Sequence, residues 1–364
     1  MDDADIFHEF TTAEGFGPPL VAARLPPGAA AVFDRGAERA AAVIRAARAR
    51  RPRLPAVHFA WIDSPDVNAL AFRHRDRYFV GLNAGTLVLL NLVFGRMLGH
   101  PEVLTAVGDP AAESAGPPLA GLGTDARFVT SPDHRVTVPV DATRRRYCLH
   151  LRDEAVAFLA AHALAHVSHG HVDRAAAVHG RPVVAERGRA AATPDPPLTC
   201  QSLELDADRG AMAAVLGEIR DRRTAPAGEV HSDRQPIRAV FDAAFAVYTV
   251  FRLFGADAPG VELAAARSPP FRVRQLNAAG AATAYVLDEW DAAIVHPCAK
   301  AGADALDEVE RAFARLTGEA PAVAGLQLTR GGAAWAHVGG RLRTHWANEV
   351  RPELLPFAHG ELPD

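Results

Sequence analysis

The order of apolar and polar residues predicts three strands near the start of the chain. Residues 57–62, 68–72 and 77–82 are short apolar runs with the aromatic and β-branched side chains that favour extended structure. A proline-containing polar segment, 63–66, and a charged segment, 73–76, separate the runs in the way that turns do. We therefore expect a small sheet built from these three runs.

Longer apolar stretches predict that the rest of the chain is mostly helical. The predicted helices are residues 37–48, 84–98 and 153–169, followed by a helical series from residue 199 to about residue 315. The segments expected to be irregular, because they contain many Pro and Gly residues, are 1–30, 106–147 and 181–197. The tail from residue 321 is expected to combine short strands with turns.

Composition is typical of a folded globular protein. Of the 364 residues, 49% are hydrophobic and 23% are charged, and the formal net charge is -4. This small charge gives no reason to expect nucleic acid as a partner. Cys148, Cys200 and Cys298 lie far apart without a CxxC spacing, which favours a reducing, cytoplasmic location. The N-terminus is acidic and has no apolar core, so no signal peptide is expected.

Two apolar stretches, 82–98 and 239–254, require comparison with membrane spans. Polar or charged residues interrupt both of them, at Asn83, Asn91, Arg96, Asp242 and Arg252. A spanning helix needs roughly 18 or more consecutive apolar residues, which neither stretch provides. Both are therefore predicted to be buried core helices, and no integral membrane segment is expected.

Two histidines in the helix predicted at 153–169 have the spacing of metal ligands. His162 and His166 are four residues apart, so both project from one helical face and can bind one metal ion. Zinc peptidases use this arrangement in the motif HExxH, whose glutamate accepts a proton from the attacking water. Here Ala163 occupies the position of that glutamate, and the stretch reads HALAH.

A third ligand is predicted in the helix that starts near residue 199. A catalytic zinc site requires three protein ligands and one open position. Glu204 and Asp208 are four residues apart and share a helical face. We predict Glu204 as the third ligand and Asp208 as a group that orients a ligand histidine. The alternative is that both pairs are accidental, but their order and short separation favour metal binding.

Two further histidines leave alternatives open. His169 is seven residues after His162 and lies on about the same face, so a site with three histidines from one helix is a strained alternative. His171 follows Gly170 outside the predicted helix and is expected to be structural. The metzincin pattern is not met, because Val172 occupies the position of its third histidine.

These motifs resemble those of the gluzincin zinc metallopeptidases, in particular the family that contains HtpX-like and CAAX-prenyl-protease-like enzymes. The family motifs HExxH and ExxAD correspond to HALAH at 162–166 and to ELDAD at 204–208. Residues 63–82 resemble the family's strand segment before the metal helix. Residues 268–276 resemble its HPPxxxR segment, with Ser268 where the family often has histidine. The resemblance covers about residues 57–276.

The resemblance implies an α+β, zincin-like fold. In such a fold a small mixed sheet packs on the active-site helix, and a mainly helical subdomain follows. The implied domains are an irregular or helical N-terminal segment, 1–56, a metallopeptidase domain, 57–280, and a helical or mixed C-terminal extension, 281–364. The implied cofactor is Zn²⁺, bound by the three ligands predicted above, and the implied substrate is a peptide or protein.

The resemblance also implies where a substrate would bind. Asn68, Ala69 and Leu70 would form the sheet edge beside the cleft, and an extended peptide would add to this edge as a strand. The alternative for these residues is an ordinary core strand.

Roles near the metal are implied for three other residues. Arg274 would orient the site, with a surface ion pair as the alternative. Tyr248 or His231 would stabilise the oxyanion of the reaction, although nothing in the sequence selects either. Glu154 lies two helical turns before His162, too far to replace the missing glutamate.

Two explanations account for Ala163. In the first, the chain is a zinc metalloendopeptidase whose glutamate has been replaced to inactivate it, and the presence of every other motif favours this. In the second, it is a natural pseudopeptidase that retains zinc and binds peptides or proteins. Losing a positioned base costs about 10²- to 10⁴-fold in rate, so low activity is expected in both cases. A helical scaffold without metal, and a cysteine hydrolase built on Cys148 or Cys200, are the remaining classes.

Overall fold

The computed structural model describes residues 1–124, 126–131, 134, 136–187, 194–224, 236–254, 265–320 and 336–363. The α-helices before residue 320 in these ranges are α1 (Asp3–Ala13), α2 (Pro27–Arg50), α3 (Ala84–Leu98), α4 (Ala126–Val129), α5 (Ala142–Ser168), α6 (His171–His179), α7 (Pro197–Thr224), α8 (Pro236–Phe254), α9 (Phe271–Glu289) and α10 (Val295–Thr317). The strands are β1 (Val57–Ile62), β2 (Ala69–His74), β3 (Arg77–Asn83) and β4 (Val183–Ala185). The predicted α+β class is confirmed, with helix in large excess over strand.

The four strands form one mixed sheet in the order β1-β3-β2-β4. β1 pairs with β3 in parallel, and β2 pairs antiparallel with both β3 and β4. The first three strands agree with the predicted runs to within two residues, because apolar runs bounded by turns define them clearly.

The prediction that Asn68, Ala69 and Leu70 form the edge of the sheet is wrong. β4 pairs with β2, with Leu70 opposite Ala185, so β2 lies inside the sheet. The Asn68 side chain extends this contact, because it accepts from the backbone N–H of Arg187 and donates to the Arg187 carbonyl. Residues 181–197 were expected to be irregular, and a strand of three residues is too short to stand out in such a segment. Among the described strands, β1 and β4 are the two edges of the sheet, and β4 is the edge next to β2.

Helix α5 is the centre of the molecule. It packs against α2, α3, α7 and α8, and against strands β2 and β3. Every residue from Leu151 to Ser168 is buried, which is the behaviour of a helix enclosed on all sides. Its many alanines leave little side-chain bulk, so α7 can pack closely along it.

α5 begins at Ala142, eleven residues before the predicted start, so the end of the predicted irregular region 106–147 is helical. Asp141 caps the helix by accepting a hydrogen bond from the backbone N–H of Arg144, at 2.8 Å. The buried Arg144 guanidinium donates hydrogen bonds to the backbone carbonyls of Leu98, His100, Val103, Leu104 and Val107. The first turn of α5 is therefore fixed by its cap and by the contacts of Arg144, which the Pro and Gly content of 106–147 does not reveal.

Residues 1–30, expected to be irregular, contain α1 and the start of α2. A capping box begins α1, in which the side chains of Asp2 and Asp5 each accept a hydrogen bond from the other residue's backbone N–H. The apolar face of α1 packs on the sheet, where the ring of Phe10 stacks on Phe72 with centroids 4.1 Å apart. Burying one such aromatic side chain contributes about 1.5–3 kcal/mol, which stabilises a helix that its few apolar positions do not reveal.

The C-terminal segment, residues 336–363, is helical up to Leu354, where strands and turns were predicted, and residues 355–363 form turns and irregular structure. π-helical and α-helical turns alternate in it, at His337–Leu342, Arg343–His345, Trp346–Val350 and Arg351–Leu354. Residues 321–335 of the predicted tail lie outside the described residues. The domain boundary predicted at residue 280 falls within the continuous helix α9.

The C-terminal segment docks on the turn between α5 and α6. The backbone N–H of His359 donates to the carbonyl of Ser168, at 2.9 Å. Gly170 makes the turn with a φ of +81°, and a Cβ there would lie 2.6 Å from the backbone carbonyl carbon of Phe357. Glycine is therefore required at this close approach.

The two stretches compared with membrane spans are α3 and α8. Most of their side chains are buried, as predicted for core helices. None of the helices in the described ranges combines the length and apolar character needed to cross a membrane.

Candidate metal centre

His162 and His166 project from consecutive turns of α5 and converge, as predicted. Their Nε2 atoms lie 3.0 Å apart, and the residues are only 1% and 3% exposed. The burial of α5 from Leu151 to Ser168 fixes the two rings, because the surrounding elements leave them no space to rotate into solvent. The two Nε2 atoms are therefore directed at one small volume.

Glu204 reaches the same volume from α7. One carboxylate oxygen, Oε2, lies 3.5 Å from Nε2 of His162, and the other, Oε1, lies 3.8 Å from Nε2 of His166. The three residues each offer a ligand atom within 4.8 Å of the others. The close packing of α5 and α7 thus brings together all three predicted ligands.

This donor set fits zinc. Two imidazole nitrogens and one carboxylate oxygen are ligands that Zn²⁺ accepts in catalytic sites. Glu204 Oε2 is buried, and no group in the described part of the chain donates a hydrogen bond to it. A buried carboxylate oxygen without a donor is unfavourable, and a bound cation removes the penalty.

Asp208 occupies the position predicted for it, behind His162. Its Oδ1 lies 3.0 Å from Nδ1 of His162, the ring nitrogen that faces away from the three ligand atoms. A carboxylate at Nδ1 favours the tautomer that carries its proton there, which leaves Nε2 free to bind a metal. Asp208 is completely buried, so this contact is shielded from water.

Arg274 connects two carboxylates at the site. Its guanidinium donates to both oxygens of Asp208, at 2.7 and 2.8 Å, and to both oxygens of Glu186, at 2.9 and 3.1 Å. The side chain is buried, so the alternative of a surface ion pair does not apply. Two bidentate pairs hold Asp208 and Glu186 in fixed orientations.

Glu186 is a site residue that the sequence did not reveal. It follows β4 directly, and its Oε1 lies 3.0 Å from Nε2 of His162. Burial raises the pKa of Glu186, but the charges of Arg274 and His162 outweigh this effect and lower the pKa to about 2. The one available signal was the β-branched pair Val183 and Val184, which predicts an extended segment ending at this carboxylate.

The neighbouring carboxylates give the two histidines different proton affinities. Burial lowers the pKa of His162, but Glu186, Asp208 and Glu204 outweigh burial and raise the pKa to about 10. Burial and the positive charge of His162 hold the pKa of His166 well below its ordinary value. In the absence of metal at neutral pH, the His162 imidazole is therefore protonated on both nitrogens and positively charged, whereas the His166 imidazole is neutral.

Ala163 is buried among apolar side chains, with 1% of its surface exposed. Glu154, excluded above as too distant, accepts from Arg39 and Arg222 at 3.0 Å, so these arginines hold its carboxylate. Besides Glu204 and Asp208, Glu186 is a further carboxylate close to the predicted ligands, and the guanidinium of Arg274 neutralises its charge.

A second cluster of His169, His171 and Asp206 adjoins the first. Asp206 Oδ2 lies 2.5 Å from Nδ1 of His169 and 3.1 Å from Nε2 of His171. Nδ1 of His171 lies 2.8 Å from Nδ1 of the predicted ligand His166. Burial raises the pKa of Asp206, but His169 and His171 outweigh burial and lower the pKa. His169 is therefore turned towards Asp206 and is not a third ligand of the first site.

A cavity borders the metal centre on the side of β4. Its wall includes the ligands His166 and Glu204, the strand residues from Val183 to Glu186, and residues of α6 such as Arg174. This is where an extended peptide could lie beside the edge strand β4 and reach the ligands. The cavity therefore borders β4 and not the β2 residues that were expected to form the edge.

Of the two residues considered for the oxyanion, only Tyr248 lies within the described residues, and it is not at the site. Tyr248 is buried in the hydrophobic core on α8. His231 lies outside the described residues.

No model of a known protein family matches this chain, and neither a curated protein nor a solved structure does. The resemblance to the gluzincin metallopeptidases therefore rests on the motifs and on the residues that support them.

Proposed function

We propose that this chain carries a zinc site of the metallopeptidase type, bound by His162, His166 and Glu204. The convergence of these three side chains from α5 and α7 within 4.8 Å is the observation that carries the proposal. Zinc held by these residues would supply Lewis-acid chemistry, which lowers the pKa of a bound water for hydrolysis of a peptide bond. The reaction of the intact site would then be hydrolysis of a peptide bond in a peptide or protein.

The chain's own residues prepare this site for metal. Asp208 holds the His162 ring with Nε2 directed at the other ligands, and Arg274 holds Asp208. Both contacts are buried, so they resist exchange with water. The cavity beside β4 offers a peptide access to the ligands, and the strand edge offers it backbone hydrogen bonds.

What the chain lacks is an efficient proton acceptor. Ala163 cannot accept a proton, and Glu204 is assigned to the metal. Glu186 is close, but its pKa of about 2 makes it a weak base at neutral pH. We therefore propose that the chain as written is an inactive form of a zinc endopeptidase, with alanine replacing the general base.

Restoring the glutamate tests this function. Ala163→Glu should raise the rate of cleavage of a fluorogenic peptide library by about 10²-fold or more, because a positioned base contributes that much. Ala163→Gln is the matched control, since it has the same size and no proton acceptor. The chelator 1,10-phenanthroline should abolish the gained activity. Equal, background-level rates for all three zinc-loaded proteins would contradict the proposal.

One observation favours a second candidate, a natural pseudopeptidase with structural zinc. Glu186 Oε1 lies 3.0 Å from the nitrogen that would bind the metal, although Glu186 is not among the residues whose ligand atoms all lie within 4.8 Å of one another. A shift of this carboxylate towards the metal would complete a four-ligand, closed site. If the chain is such a pseudopeptidase, the Ala163→Glu variant binds zinc but stays inactive, and zinc dissociates slowly from the unchanged chain. Glu186→Gln would then accelerate zinc loss to a chelator, an effect that the peptidase reading does not require.

A further inference from the structure

We propose that His171 and Asp206 are positioning residues for the metal ligand His166, and that they act in series to fix its ring with Nε2 facing the metal. This inference rests on the proposed zinc site. It gives a function to the second histidine cluster, which the metallopeptidase motifs do not explain.

The contacts form an unbroken chain. His166 Nδ1 lies 2.8 Å from Nδ1 of His171, and Nε2 of His171 lies 3.1 Å from Oδ2 of Asp206. All three residues are 3% exposed or less. Each hydrogen bond is therefore made away from water, where an unsatisfied partner is costly.

The positions of the protons follow from the metal site. A His166 ring that binds metal through Nε2 must carry its proton on Nδ1, and that proton must be donated. Nδ1 of His171 is the acceptor in reach, so a neutral His171 carries its own proton on Nε2. This proton is donated to Asp206, which ends the series as a carboxylate.

The remaining neighbours agree with this assignment. His169 donates from Nδ1 to Asp206, at 2.5 Å. Arg51 can only donate, and its Nη1 lies 3.2 Å from Nε2 of His169. A neutral His169 thus satisfies both contacts. Asp206 Oδ2 accepts one hydrogen bond from the ring of His169 and one from the ring of His171.

The same proton positions argue against a second metal ion at His169, His171 and Asp206. Metal at Nε2 of His171 would place the proton of that ring on Nδ1, which faces Nδ1 of His166. His166 would then have to accept there and carry its proton on Nε2, so it could not bind the first metal. The two metal sites exclude each other, and the hydrogen-bond series is the arrangement compatible with zinc at the first.

Both ligand histidines are therefore held by a carboxylate of α7, but in different ways. Asp208 contacts the ring of His162 directly. Asp206 acts on His166 through an intervening imidazole. Residues 167–171, VSHGH, which follow HALAH directly, supply this intermediate ring.

Substitution of His171 tests the series. His171→Phe keeps an aromatic ring but removes the acceptor, and it should weaken zinc binding by about 10- to 100-fold. His171→Gln offers a carbonyl to His166 and an amide N–H to Asp206, so it should restore most of the affinity. His169→Gln is the control, because it touches Asp206 but not His166, and it should bind zinc within about threefold of the unchanged chain.

Affinity is measured by competition with a chromophoric chelator, and the visible spectrum of the Co²⁺-substituted proteins reports the ligand geometry. The spectrum should change in His171→Phe and return in His171→Gln, which a loss of packing alone would not produce. Thermal unfolding of the metal-free variants reports whether each one folds.

Unchanged affinity and an unchanged cobalt spectrum in His171→Phe would overturn the positioning role while leaving the zinc site intact. Two zinc ions in the unchanged chain, with one lost in His171→Phe, would overturn it in favour of a second metal site. Absence of zinc from the unchanged chain would overturn the proposed function itself together with this inference.

Discussion

At the scale of single residues, the four-residue spacing of histidines and carboxylates predicted the candidate metal ligands, but it did not predict every residue of the candidate site. His162, His166, Glu204 and Asp208 are paired at four-residue intervals on helices, and such pairs share a face whatever the rest of the chain does. Glu186 follows a strand of three residues in a segment with no helical pattern, so its place depends on the pairing of β4 with β2. Tertiary contacts, and not local sequence, decide where that carboxylate lies.

Zinc binding should depend on pH through His162. Its pKa of about 10 in the metal-free protein means that zinc must displace a proton at neutral pH. Affinity should therefore rise by about tenfold per pH unit between pH 7 and 9, and binding should release about one proton. Calorimetry in buffers of different ionisation enthalpy measures this proton, and chelator competition measures the affinity.

A histidine with an ordinary pKa would behave differently. It is already deprotonated above pH 7, so affinity would stay level between pH 7.5 and 9. A level profile would show that the carboxylates around His162 do not hold a proton there.

At the scale of elements, the pattern of apolar and polar residues predicted the bounds of a helix or strand best where polar turns lie at both of its ends. β1 and α3 have the predicted bounds, because polar turns and alternating or continuous apolar residues define them. The start of α5 and the whole of α1 were missed for different reasons. Arg144 is buried by backbone carbonyls that come from distant parts of the chain, and α1 is stabilised by packing on the sheet.

The turn between α5 and α6 should be sensitive to a single methyl group. Gly170→Ala should destabilise the protein by about 1–3 kcal/mol from backbone strain, with a further cost from the contact with Phe357. Gly180→Ala is the matched control, since its φ is also positive, at +67°, but the added Cβ meets no atom within 4 Å. Urea-induced unfolding measures the free energy of unfolding of both variants.

The difference between the two glycine variants isolates the docking of the C-terminal segment. Gly170→Ala should lose more stability than Gly180→Ala, and amide hydrogen exchange should increase in residues 353–363. Equal losses would show that the close approach of Phe357 to Gly170 does not stabilise the fold.

At the scale of the whole molecule, one helix organises both the fold and the site. α5 is enclosed by helices and by the sheet, and it carries both histidines of the candidate metal centre, while α7 beside it carries Glu204 and Asp208. The small mixed sheet and the excess of helix agree with the fold class predicted, whereas the zincin-like description stays a prediction. The sheet order could not be deduced from the sequence, because β4 is separated from β2 by more than a hundred residues.

The position of bound zinc tests the central claim most directly. Anomalous diffraction at the zinc absorption edge, from crystals of the protein loaded with one equivalent of zinc, locates the ion without reference to activity. The account predicts a single peak bounded by Nε2 of His162, Nε2 of His166 and the carboxylate of Glu204. No peak at this position, or a peak on His169, His171 and Asp206 instead, would contradict it.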